Sequence, residues 1–133
     1  MERDRATLVL DSGALISLSR GNVQTRSRVE AARRNQASIV VPVVAVAETH
    51  RGSGPREATL HLALARLDPP RPLVDSTARL AGVLLAESGS SSTIDALVVA
   101  EAIELAPSVV LTSDPDDLRQ ILGNRRNVRI SAL

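Results

Sequence analysis

Short apolar runs alternate with longer amphipathic stretches along this chain, and that alternation constrains the fold more than any other feature. Thr7 to Leu10, Ile39 to Val41, Val109 to Thr112 and Val128 to Ile130 are too short for helices and rich in β-branched residues. Runs of this kind suit strands buried on both faces, and their alternation with helical segments predicts a parallel sheet covered by helices. In such sheets ligands gather outside the carboxyl ends of the strands. Acids stand at two of those ends, Asp11 after the first run and Asp114 after the Val109 to Thr112 run. Two more interrupt apolar helical stretches, Glu48 after Val43 to Ala47 and Asp95 before Ala96 to Ala100. Converging carboxylates repel one another and take up protons unless a cation compensates them, and oxygen-only clusters suit Mg²⁺ or Mn²⁺. The pattern therefore points to metal-dependent phosphate chemistry.

Composition narrows the options. A chain of 133 residues is long enough for one domain with a true core and too short for two, so residues 1–133 are read as a single domain. Phe, Tyr and Trp are absent, which leaves an aliphatic core and removes base stacking on aromatic rings as a binding mode. All 16 basic residues are Arg, balanced by 15 acids to a net charge of +1, so the chain offers phosphate-gripping forks without a global attractive field. Arg26, Arg28, Arg33, Arg34, Arg125, Arg126 and Arg129 are candidates for phosphate contacts, although Arg on a helix usually marks a solvated face. With no cysteine, metal ligands are restricted to oxygen donors and His. No apolar signal region follows the mixed-charge start, and no segment approaches the roughly 20 apolar residues of a membrane span. A soluble cytoplasmic protein is the expectation.

Helices are expected from Asp11-Ser12-Gly13 through Leu18, over Val23 to Arg34, Val43 to His50, from Pro55, over Ser76 to Glu87 (closed by Gly89), over Ile94 to Leu105 and Asp114 to Leu122. Pro72 to Val74 supplies a further short edge strand. Arg51-Gly52-Ser53-Gly54-Pro55 has hinge composition. Each acid also has an ordinary explanation. Asp11 and Asp114 fit helix N-caps, Pro115 and Asp117 complete a capping pattern, and Asp95 lies beside the caps Ser92 or Thr93. Glu48 is the exception, since on a helix it lies one turn from Val44 and a buried, unpaired carboxylate costs several kcal/mol. Its ordinary partner would be Arg51. His50 is expected to point away from Glu48 and His61 to lie on the surface of the next helix.

The segments Leu8-Val9-Leu10-Asp11-Ser12, Val43 to Glu48, Ile94 to Ala100 and Leu111 to Leu118 resemble, in order, the four acidic motifs of PIN-domain nucleases. Within that family the chain looks most like the VapC toxins of type II toxin–antitoxin pairs. The resemblance implies a three-layer α/β/α domain with a mostly parallel five-stranded sheet and a Mg²⁺-dependent endoribonuclease activity, with Mn²⁺ as a possible substitute. It carries metal and catalytic duty onto Asp11, Glu48, Asp95 and Asp114, with Asp117 as a further ligand and Asp116 also available. Thr112, Ser113 and Ser12 would orient the carboxylates by hydrogen bonding. It further implies an RNA substrate, a homodimer and a cognate VapB-like antitoxin, for which the Leu60 and Leu64 stripe beside the glycine hinge is the candidate docking groove. Two other readings stand beside the toxin: a housekeeping RNA-processing nuclease of the same fold, and a catalytically silent module whose acids serve as caps and salt bridges.

Overall fold

The computed structural model describes residues 6–133. Its elements in chain order are β1 (Thr7–Leu10), α1 (Ser12–Ser19), α2 (Val23–Arg34), β2 (Ile39–Val40), α3 (Val43–Thr49), α4 (Pro55–Ala65), α5 (Asp75–Ser88), α6 (Thr93–Glu104), β3 (Ser108–Thr112), α7 (Pro115–Leu122) and β4 (Val128–Ala132). The strands lie in the order β2-β1-β3-β4 and every pairing is parallel. Leu10 sits opposite Leu111, so β1 and β3 reach the same edge of the sheet together.

Because side chains alternate across a strand, the two faces carry separate cores. Val9, Val110 and Ile130 point to one side, under Leu84, Val98, Val99 and Leu118 from α5, α6 and α7. Leu8, Leu10 and Leu111 point to the other, against Leu15, Val29 and Leu60 from α1, α2 and α4. The result is the expected three-layer α/β arrangement. Helix α6 is the most enclosed, with Ala96 through Ala102 all buried. No single helix among the described residues is long and apolar enough to cross a membrane.

The sheet has four strands rather than five. Where Pro72 to Val74 was expected to add an edge strand, the chain makes only an isolated bridge between Pro42 and Arg71. Proline has no N–H to give to a ladder, and Pro69, Pro70 and Pro72 leave Arg71 as the one donor in that stretch. Arg71 accordingly donates its N–H to Val41 at 2.8 Å and accepts from Val43 at 3.1 Å, and pairing stops there.

Two expectations for the α3–α4 region also change. Leu60 is a core residue, 4% exposed, with Leu64 packed beside the same cluster, so this stripe is not an open docking groove. Glu48 is exposed rather than buried. Helix α3 has only seven residues and lies at the β2 edge, sending Val44 into one core and Ala45 into the other. Glu48 falls in its last turn, beyond the cover of either layer.

Candidate active site

Asp11 follows the last residue of β1 and takes the N-cap position of α1 with extended backbone. Its Oδ1 accepts the N–H of Ala14 at 3.3 Å. Its Oδ2 accepts the hydroxyl of Thr112, the last residue of β3, at 2.5 Å. The Thr112 oxygen in turn accepts the N–H of Asp114 at 3.0 Å, which leaves its own proton free to serve Asp11. Two acidic positions from opposite ends of the chain are thereby linked through one hydroxyl, because parallel pairing brings β1 and β3 to the same edge. Close approach fixes this junction further: a Cβ on Gly13 would lie 2.2 Å from Ser113 Oγ and 2.9 Å from Ser113 Cβ. Gly13 thus lets the start of α1 pack directly on the loop that carries Asp114.

Opposing influences act on the Asp11 carboxyl. Burial raises its carboxyl above the usual carboxylate range, the hydrogen bonds from Thr112, Ala14 and Gly13 pull the other way, and the charge of Asp95 pushes it up again. Asp95 lies in the first turn of α6, half-buried, and its Oδ2 accepts the Ser92 hydroxyl at 2.8 Å. Among the described residues no Arg pairs with Asp11, Glu48, Asp95, Asp114 or Asp117 within ion-pair distance.

The remaining acids differ in how firmly they are held. Asp114 occupies the N-cap position of α7, yet its exposed side chain makes no capping bond. Asp116 is 97% exposed and pairs with Arg119 at 3.5 Å, and Asp117 is exposed. Of the three, Asp114 is tied to the Thr112 link. Glu48 borders a cleft with Ile16, Arg20 and Arg51, and Gly13 and Ser113 border a neighbouring one that Ile16 and Arg20 also line. The carboxylates of Asp11, Glu48, Asp95, Asp114 and Asp117 do not bring three oxygens within 4.8 Å of one another; among the described residues the set that does gather so closely is His50, Glu57 and His61.

Sequence reasoning overlooked Arg20. It is exposed, lies at the end of α1 between the two clefts, and has no hydrogen-bond or ion-pair partner for its guanidinium among the described residues. By contrast Arg28, Arg33 and Arg125, among the candidates for phosphate contact, are occupied by the carbonyls of Ala132 and Arg66 and by the Glu87 carboxylate respectively.

Asp11 and Asp114 thus stand together at the carboxyl ends of the two central strands of a parallel α/β sheet. The PIN domain family model matches residues 8–122, and the chain belongs to that family. Its fold is similar to the crystal structure of VapBC2 from Rickettsia felis bound to a DNA fragment from their promoter, with a TM-score of 0.74, 14% identity, and coverage of 96% of this chain and 98% of that chain. Comparison with curated protein sequences gives no match.

Proposed function

We propose that residues 1–133 form a single-domain Mg²⁺-dependent endoribonuclease that acts as the toxin of a type II toxin–antitoxin pair. The observation that carries the reading is the Asp11–Thr112–Asp114 link facing Asp95 at the carboxyl edge of a PIN domain. A buried carboxylate raised by desolvation, repelled by a second acid and paired with no Arg among the described residues, is one that a cation would stabilise. The donors are all oxygen, which fits a hard divalent ion better than a soft one.

Asp11, Asp95 and Asp114 would hold Mg²⁺, with Glu48 reaching in from the cleft wall and Asp117 as a supplementary ligand. When bound, the ion would activate a water and neutralise charge on the phosphoryl oxygens. Thr112 keeps the Asp11 carboxylate oriented and favours its charged form by donating to Oδ2. The Arg20 guanidinium, free beside both clefts, is placed to grip a phosphate of the RNA backbone. Without aromatic rings, selection among RNA sequences falls to hydrogen bonding, shape and guanidinium stacking on unpaired bases.

The similar Rickettsia structure is of a VapBC2 bound to DNA, which supports a VapB-like antitoxin as the partner of this chain, here proposed as a homodimer in the cytoplasm. Incubation of the purified chain with RNA tests the activity: cleavage in Mg²⁺, arrest by a chelator and recovery with added Mg²⁺ or Mn²⁺ are expected. Undiminished cleavage in chelator would overturn the metal-dependent reading.

A further inference from the structure

We propose that His50, Glu57 and His61 form a second metal site, selective for a borderline transition-metal ion such as Zn²⁺, that clamps the α3–α4 hinge. His50 follows the last residue of α3, while Glu57 and His61 lie one turn apart on the same face of α4. Between the two helices runs the glycine segment, with Gly52 and Gly54 at φ of 85° and 103°. The fold therefore closes three potential ligands across its most hinge-like loop.

The geometry suits a small tetrahedral ion. His50 Nδ1 is 3.0 Å and His61 Nε2 is 3.8 Å from the same oxygen, Glu57 Oε2. Metal–ligand bonds of about 2.0–2.1 Å at tetrahedral angles place ligand atoms about 3.3 Å apart, between those two values. One ligand atom from each of the three residues lies within 4.8 Å of the other two. The imidazole rings stand edge to face, 5.6 Å between centroids, rather than stacked.

Glu57 supplies the independent observation. The residue is 7% exposed, and its buried Oε2 accepts no well-directed hydrogen bond among the described residues, the groups that approach it being the His50 and His61 nitrogens. Its other oxygen accepts the backbone N–H of Arg51 at 2.5 Å, so the hinge itself fixes the carboxylate and aims Oε2 at the histidines. Buried carboxylate oxygens are seldom left without a donor or a cation, and metal ligands are commonly oriented in this way by a backbone partner. Both histidines remain partly exposed, with side chains 47% and 64% accessible, which gives an ion a path in and leaves a coordination position open to water.

Two imidazoles discriminate against Mg²⁺ and favour Zn²⁺, Ni²⁺ or Co²⁺, so this site is chemically separate from the all-oxygen carboxylates. Occupancy would lock α3 to α4 and hold the last turn of α3, with Glu48 on it, against the cleft. The ordinary alternative is a His50–Glu57 ion pair with His61 as a bystander.

Calorimetric titration of the untagged full-length chain with Zn²⁺, in excess Mg²⁺, separates these readings. One Zn²⁺ per chain is expected, with affinity falling at least tenfold in His61→Ala and in Glu57→Gln, and unchanged in Asp11→Asn. Co²⁺ should give the visible absorption of a tetrahedral complex in the parent chain and not in His61→Ala. Since His61 is exposed, its loss leaves the fold intact, which circular dichroism verifies. Absence of Zn²⁺ binding, equal affinity in His61→Ala, or loss of binding in Asp11→Asn would each overturn the proposal. None of these outcomes depends on ribonuclease activity, so the carboxylate reading stands or falls separately.

Discussion

Two buried carboxylates on opposite sides of the sheet's logic, Asp11 at the strand ends and Glu101 under α5, are both pushed up by burial but held in different ways. Asp11 has both oxygens engaged by hydrogen-bond donors, Thr112 and the Ala14 N–H, and no Arg within ion-pair distance among the described residues. Glu101 is 1% exposed, neither of its oxygens has a hydrogen-bond partner among the described residues, and Arg71 Nη1 stands 3.9 Å away. Arg71 also reaches Glu104 at 3.6 Å, and the Thr77 hydroxyl donates to that same carboxylate. Burial pushes Glu101 from 4.5 to about 7, with Arg71 pulling it down and Glu104 pushing it up. A raised carboxyl by itself therefore does not mark the active site. What differs is the surroundings: hydrogen-bond donors hold both Asp11 oxygens, with the Asp95 charge acting on them, whereas Glu101 faces Arg71, which bridges to Pro42 and reaches α6.

The comparison makes the two acids respond in opposite senses to neutralisation. Asp11→Asn or Asp95→Asn is expected to lower RNA cleavage by more than about 100-fold with the fold retained, since an amide keeps the shape and the capping oxygen but not the charge that binds metal. Glu101→Gln is expected to leave cleavage unchanged and to raise stability at pH 8. A folded pKa above the unfolded value means stability that is complete below about 4.5 and lost as pH rises through about 7. The full shift corresponds to about 3 kcal/mol, from which loss of the Arg71 attraction subtracts. Thermal unfolding of parent and variant at pH 5 and pH 8 checks this, with the pH dependence smaller in the variant. If Glu101→Gln reduced cleavage as strongly as Asp11→Asn, the distinction between the two regions would collapse.

Smaller effects sharpen the role of the frame. Thr112→Val removes the donor to Asp11 without changing shape, and a cleavage loss of about 10- to 100-fold is expected, accompanied by a higher Mg²⁺ concentration for half-maximal rate. Gly13→Ala should cost about 1–3 kcal/mol in urea unfolding, because its Cβ would meet Ser113 at 2.2–2.9 Å and part of the strain falls on backbone. Its cleavage loss should be milder than that of Thr112→Val, since the loop shifts while every donor remains.

Much of this architecture is legible in the residues because local chemistry and global fold agree. The β-branched runs became strands, Gly89 ends α5 with φ of 73°, and Pro115 opens α7 as its pattern predicts. Asp11 proved to be a helix cap and a strand-end acid at once, so the ordinary and functional readings did not compete there. The Thr112 hydroxyl was identified from the motif, but its direction depends on the register of β1 against β3, a long-range fact. Glu48 was misjudged because helical spacing from Val44 says which face a residue shares, not whether another layer covers that end of a seven-residue helix. The fifth strand failed for a reason written in the prolines around Arg71. His50 and His61 were read one at a time, the first as pointing away from Glu48 and the second as a surface residue; the Glu57–His61 spacing was visible, but only the reversal at Gly52–Gly54 brings His50 to it.

The central claim is that a divalent ion binds among Asp11, Asp95 and Asp114. A crystal structure with Mn²⁺, located by its anomalous scattering, tests it most directly. Manganese is expected within coordination distance of an Asp11 oxygen, with Thr112 still donating to Oδ2 and at least one of Asp95 and Asp114 turned inward. Manganese bound elsewhere, with Asp11 making only its present two hydrogen bonds, would contradict the account.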